Sequence, residues 1–340
     1  MISWQGDPEP KALICAVDIG YGFDDAPARG TVKTRFIPWG FGVAVDGPDV
    51  SGGAGAQVGS PTARRIILGA RLRRLREAAE ISRGEAGYAI RSSESKISRL
   101  ELGRVSFKER DVADLLTMYG VTDPERREAF LEMVRQSNQP GWWHRYTDLV
   151  ADWFQDYLGL EESASRIQTW EQQFVPGLLQ TEDYARAIAT RGWAALATER
   201  ADRQVAVRLR RQALLARPDA PKLWAVIDES VLHRPIGGRA LMLAQIEHLL
   251  DLTKRPNVTL QVVPYQYSGY AAEGSFTMLR FAERELPDVV FIEHLCGALY
   301  LDKRAETELY SRVFDRLTVD AHTPDQTRQL LTKARAEARV

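Results

Sequence analysis

The stretch Ser92-Ser93-Glu94-Ser95-Lys96-Ile97-Ser98-Arg99-Leu100-Glu101-Leu102-Gly103 decides how this chain reads. Ser93 is a good N-cap, Ile97 and Leu100 form an apolar back, and Gly103 supplies a stop. That makes a short helix with Glu94, Ser95, Lys96 and Arg99 on its outward face. A helix that enters a DNA major groove needs small or polar groups at its N-terminus, where side chains meet base edges and amides meet phosphate. The competing reading is an ordinary amphipathic helix closed by a glycine.

The surroundings extend the pattern. Leu68, Leu72, Leu75 and Ala79 repeat at helical spacing with arginines between them. Short helices fit Arg83–Ile90, Glu94–Leu102 and Glu109–Tyr119, and a fifth runs from Thr122-Asp123-Pro124 to about Ser137. Between Arg64 and Arg110, thirteen Lys/Arg stand against six Asp/Glu, in a chain whose net charge is −1. A basic segment in a neutral protein is the electrostatic footprint of a DNA-reading module.

With Leu72-Arg73-Arg74-Leu75-Arg76 ahead of it, the stretch resembles the lambda-repressor/Cro (XRE) type of helix-turn-helix. The resemblance implies that Ser93, Glu94, Ser95 and Arg99 face DNA. It places Lys96 at bases or phosphate and Arg83, opening the second helix, beside the backbone. It also implies that Glu101, otherwise odd so near phosphate, pairs with Arg76 in the first helix. The pattern departs from the family at Arg83, Ala86, Gly87 and Arg91. Arg91 stands where the family has its turn glycine, so a strained or altered turn is expected there.

The likeness continues through Gly141-Trp142-Trp143-His144-Arg145-Tyr146, Arg166-Ile167-Gln168-Thr169-Trp170-Glu171 and Val175-Pro176-Gly177-Leu178-Leu179-Gln180-Thr181-Glu182-Asp183-Tyr184-Ala185. Arg255-Pro256-Asn257-Val258 and Gly297-Ala298-Leu299-Tyr300-Leu301 belong to it too. These segments are similar to an actinobacterial group of Scr1-like, antitoxin-like regulators, in which an XRE-type head precedes a domain of unassigned biochemistry. The resemblance covers about residues 58–338 and implies a small partner protein encoded nearby.

The expected fold is mainly α. A five-helix lambda-repressor-like DNA-binding domain over 62–137 is followed by an α+β domain over 141–340 with a small antiparallel sheet. Its strands are expected at Leu223–Ile227, Val258–Val263, Phe276–Phe281 and Val289–Ile292. Helices are expected near 150–165, 182–193, 198–216, 238–254, 303–318 and 324–337. Residues 1–57, with ten glycines and five prolines, read as a disordered arm or a misassigned start, Val58 being the candidate first residue.

No apolar run approaches the roughly 20 residues of a membrane span, which points to the cytoplasm. Cys15 and Cys296 have neither disulfide nor zinc-ligand spacing. The strand-end acids Asp228-Glu229 and Glu293-His294 fit a metal nuclease less well than solvated or capping roles. Trp142, Trp143, Tyr146, Trp153, Phe154, Tyr157 and Trp170 read as core or seam packing. Tyr265, Tyr267 and Tyr270, in a Gly-containing loop, are candidates for a pocket or partner surface. The expected protein is a dimeric transcriptional regulator on a palindromic operator in double-stranded DNA, with no catalysis, cofactor or metal. The alternative is an antitoxin-like protein-interaction module whose DNA contact is secondary.

Overall fold

In a computed structural model that describes residues 59–191, 198–267, 274–294 and 297–339, the helical periodicity begins at Pro61. Residues 1–57, Val58, Tyr270, Cys15 and Cys296 lie outside the described residues. Five helices come first: α1 (Pro61–Ala78), α2 (Arg83–Ala89), α3 (Glu94–Glu101), α4 (Glu109–Met118) and α5 (Pro124–Ser137). They enclose Leu68, Leu72, Ile97, Leu100, Leu116 and Val134 in one apolar core.

Helix α1 serves two cores. Leu68 and Leu72 point into the head, whereas Ala63, Ile66 and Ile67 pack with Tyr157 and Leu160 of the following body. Sequence periodicity detected only the head-facing stripe. The start of α1 is pinned to α6 (Asp152–Ser163). There the Ser60 hydroxyl donates to the Gly159 carbonyl at 2.5 Å, and the Ser60 amide donates to Ser163 Oγ at 2.8 Å. Farther along, Arg71 and Arg74 both reach Glu285 of the body, at 3.2 and 2.8 Å. Backbone meets backbone where α1 crosses α3. A Cβ on Gly69 would lie 2.4 Å from the Leu100 carbonyl oxygen, so only glycine fits.

The body contains β1 (Arg166–Glu171), α7 (Glu182–Arg191), α8 (Thr198–Gln212), β2 (Lys222–Asp228), α9 (Ser230–His233), α10 (Arg239–Leu252) and β3 (Val258–Val263). Then follow β4 (Phe276–Arg280), β5 (Val289–His294), β6 (Gly297–Leu301), α11 (Arg304–Asp320) and α12 (Pro324–Arg339). The strands form one six-stranded sheet in the order β3-β2-β1-β4-β5-β6. It is mixed, which corrects the expected small antiparallel sheet: β1, β2 and β3 are mutually parallel, and β4, β5 and β6 continue antiparallel. Parallel neighbours need a crossover connection, and α7–α8 and α9–α10 supply the two crossovers.

Helices cover both faces. On one, Ile167, Ala225, Leu260 and Phe291 meet Tyr157, Ile246 and Leu331 from α6, α10 and α12. On the other, Trp170, Val226 and Met278 meet Phe314 and Leu317 of α11. Strand β1 sits at the centre with four consecutive buried residues. It and β6 were absent from the expected strands. Gln168 and Thr169 interrupt the apolar run of β1, and β6 opens on Gly297-Ala298.

Candidate nucleic-acid interface

Helix α2 starts at a capping box. The Ser82 hydroxyl accepts from the Glu85 amide, and the Glu85 carboxylate accepts from the Ser82 amide at 2.8 Å. These hydroxyl and amide bonds hold the exposed Glu85 carboxyl below its usual range. Ala86 and Ile90 face the core, which leaves Tyr88 on the opposite side, 86% exposed. Sequence reasoning missed Tyr88, although the helical spacing of Ala86 and Ile90 already put it outward.

The turn to α3 passes through Arg91 at φ 53°, left-handed as its place in the turn required. Ser93 then caps α3 by accepting from the Lys96 amide at 3.2 Å. Ile97, Leu100 and Glu101 are buried; Ser93, Glu94, Ser95 and Arg99 are exposed. The Arg99 side chain bonds to its own helix, Nε donating to the Ser95 carbonyl at 3.4 Å. Lys96 is drawn sideways instead, its Nζ 2.8 Å from Asp111 on α4. The helix ends with Gly103 at φ 65°, the Gly103 amide donating to Leu100 and the Arg104 amide to Arg99.

Glu101 is neutralised from two sides. Arg76 Nε and Nη2 both donate to it, the latter at 3.1 Å, and Arg83 Nε donates to its Oε2 at 3.1 Å. The hydrogen bond to Glu101 outweighs the cost of burial and raises the Arg76 pKa further. Arg83 is thus fixed by a carboxylate, with its remaining nitrogens at the half-exposed mouth of α2. The Arg76–Glu101–Arg83 triad sets the base of α3, and the exposed side of α3 presents hydroxyls and one carboxylate at its N-terminal end and one guanidinium in its last turn.

Tyr265 and Tyr267 have different partners. Tyr265, 58% exposed, stacks on His233 at 5.5 Å, and its amide donates to Glu229 at 2.7 Å. Tyr267 turns to α11 and donates to Asp320. Asp228 caps the Ser230 amide at 2.8 Å, so the acids after β2 serve the local backbone. Among the described residues no group of three or more His, Cys, Asp or Glu could hold a metal ion. Within the aromatic group, Trp143, Tyr157 and Trp170 are buried in three different clusters.

A second polar group was not foreseen. The β1–β4 ladder pairs Trp170 with Phe276 and the β4–β5 ladder pairs Thr277 with Phe291. Continuing those registers puts Glu171, Ser275 and Glu293 in one row, on the sheet face covered by α6. Burial pushes the Glu171 carboxyl up to about 7, opposed by its bond to Ser275 and helped by the neighbouring Glu293. Arg208 of α8 is lowered to about 10 by burial, and its neighbours include Arg211 and Glu293. Such a row depends on strand order, which no local pattern reveals.

No helix among the described residues is long and apolar enough to cross a membrane. The helix-turn-helix domain family matches residues 67–129. The family described as Domain of unknown function (DUF5753) matches residues 154–333, more than half of the chain. No curated protein and no solved structure matches.

Proposed function

The chain belongs to the family defined by the domain of unknown function DUF5753, and with a helix-turn-helix domain ahead of that region we propose that it is a sequence-specific transcriptional regulator of the XRE type. The observation that carries this reading is the division of α3. Its back is buried, while Ser93, Glu94 and Ser95 at its N-terminal end and Arg99 in its last turn stand exposed. In this reading Arg99 reads a base edge, Arg83 and Lys96 lie against phosphates while anchored by Glu101 and Asp111, and Tyr88 flanks the backbone. The body, residues 141–340, supplies dimerisation and signal recognition, so the operator is palindromic. The protein works in the cytoplasm without catalysis or cofactor, as in the Scr1-like group.

Footprinting upstream of its own gene and the neighbouring genes tests this. A protected site whose affinity falls steeply with salt is expected, because neutralised phosphates release counterions. Arg99→Ala should cost about 1–3 kcal/mol at one operator position. Arg83→Ala should weaken specific and nonspecific binding alike. No protected site, or salt-independent binding, would overturn the reading. A protein-interaction module is the second reading, supported by Leu309 and Val319, which α11 leaves 52% and 76% exposed. Copurification of a small protein with full-length chain that protects no DNA would favour it.

A further inference from the structure

The row Glu171–Ser275–Glu293 lies at the end of β1 where the sheet changes character, with parallel strands on one side and antiparallel strands on the other. In open α/β sheets, ligands bind beyond the carboxyl ends of strands at such a switch point. Directly opposed residues on neighbouring strands have Cβ atoms roughly 5 Å apart, so the two carboxylates flank Ser275 with space between them. One step inward, the row continues as Thr169, Thr277 and Phe291, and Tyr157 of α6 packs on Phe291 at 4.2 Å. Helix α8 adjoins this face through Arg211, whose guanidinium lies over Phe154 and Tyr157 and is bonded twice to Glu161. Arg211 is therefore committed.

Arg208, one turn earlier, is not. Its Nη1 donates to the neutral side chain of Gln180, at 3.1 Å. Among the described residues neither Glu171 nor Glu293 has a cation within ion-pair distance, and no carboxylate comes that close to Arg208. Yet the charge of Glu293 acts on both Glu171 and Arg208. Half-buried charges such as those of Glu171 and Arg208 are retained when something pairs them. Two open carboxylates and one open guanidinium, close but not touching, are complementary to a molecule carrying both signs.

We propose that Glu171, Ser275 and Glu293, with Arg208 facing them from α8, form a binding site for a small amino-acid-like zwitterion. Its α-ammonium group lies between the carboxylates, and its α-carboxylate meets Arg208. A role for this molecule as effector rests on the regulator reading; the binding itself does not.

Calorimetry and thermal denaturation of the full chain with each of the twenty standard L-amino acids test the site. Each is compared with its methyl ester, which lacks the α-carboxylate, and its N-acetyl form, which lacks the α-ammonium. At least one free amino acid should bind saturably and raise Tm, and each derivative should bind about tenfold or more weakly, since a charge-assisted contact is lost. Glu293→Gln, at an exposed position, should weaken the free amino acid about tenfold and leave its N-acetyl form unchanged. Arg208→Gln should weaken the free amino acid and leave the methyl ester unchanged; if that variant fails to fold, Glu293→Gln alone decides. No binding by any amino acid, derivatives equal to the parent, or indifference to Glu293→Gln would overturn the site. So would equal binding of putrescine, a cation with no anion. No DNA is present, so failure here leaves operator binding standing, and failure of operator binding leaves this result standing.

Discussion

Two buried arginine–glutamate pairs, Arg76–Glu101 in the head and Arg211–Glu161 in the body, use the same chemistry with unequal insurance. In the head, Glu101 also accepts from Arg83, and Arg76 Nη1 donates to the Ile81 carbonyl at 2.8 Å. In the body, Arg211 donates from Nε and Nη2 to the two oxygens of Glu161, both at 2.8 Å, while Tyr157 donates its hydroxyl to the same carboxylate at 2.8 Å. Burial works against the Arg211 charge, and Glu161 outweighs it, so the guanidinium pKa rises. Among the described residues no second cation comes within ion-pair distance of Glu161, and nearby Arg217 is taken by Glu162 at 2.7 Å. A carboxylate with two arginines tolerates the loss of one; a carboxylate with a single arginine does not.

The largest effect should therefore come from Arg211→Met. It strands Glu161, whose side chain is 2% exposed, and removing one partner of a buried pair typically costs about 3–5 kcal/mol. Urea denaturation of the full chain measures it. A loss below about 1 kcal/mol, the range of a surface pair, would break the comparison.

Arg76→Met should cost less, about 1–3 kcal/mol, because Arg83 can still compensate Glu101. Removing Glu101 as well should recover part of the loss, and a double-mutant cycle should give a coupling energy of about 0.5–3 kcal/mol. The comparison sharpens if Arg83→Gln, nearly neutral alone, makes Arg76→Met as costly as Arg211→Met. Equal losses for Arg76→Met with and without Arg83 would show that Arg83 gives no insurance.

A third effect is set by pH. The folded pKa of Glu171, about 7, lies above its ordinary value of 4.5, so the folded state holds a proton that the unfolded state has released between those values. Stability from this group is complete below about pH 4.5 and declines as pH rises through 7, by on the order of 1–2 kcal/mol because Glu171 is only half-buried. Glu171→Gln should flatten that slope. Denaturation midpoints at pH 5, 6, 7 and 8 on both proteins would check it, and an unchanged slope would remove Glu171 as its source.

The two regions also differed in how far they could be read beforehand. In the head, the helices, the cap at Ser93 and the stop at Gly103 arise from contacts a few residues apart, so spacing and capping chemistry reveal them. Arg76 and Glu101 became visible as partners only through the family resemblance. In the body, four strands were recognisable by their β-branched and aromatic runs, but their order was not. The helix between β2 and β3 already implied parallel pairing of those two strands, a constraint the antiparallel expectation overlooked. Arg211 and Glu161 lie 50 residues apart, and Ser275 lies 104 residues from Glu171; only the folded sheet brings either set together. Lys96 shows a smaller limit within the head, since helical spacing cannot say that Asp111 draws it off the outward face.

The smallest effects belong to the head alone and concern its helix ends. Helices α1, α2, α3 and α4 all finish in the same way. The amide two residues past the cap returns to the third carbonyl from the end, as in Ile81 to Arg76, Ser92 to Gly87, Arg104 to Arg99 and Val121 to Leu116. This ending holds the residue just after the cap in the left-handed region, where a side chain crowds the following carbonyl. Gly103 and Gly120 occupy that position in α3 and α4, but Glu80 and Arg91 occupy it in α1 and α2, at φ 58° and 53°. Glycine relieves the crowding at a cost in unfolded-state entropy, so Glu80→Gly and Arg91→Gly should each stabilise the chain by about 0.5–1 kcal/mol. Chemical denaturation would show a raised midpoint with an unchanged slope. Their consequences for DNA should separate, because Arg91 is exposed beside α3 whereas Glu80 closes the far end of α1. Glu80→Gly should leave operator affinity as it was. Arg91→Gly should remove a cation next to the proposed phosphate path and reduce the salt dependence of binding by about one unit. A loss of stability in both variants would mean that these ends are held by the side chains of Glu80 and Arg91 and not by the backbone motif.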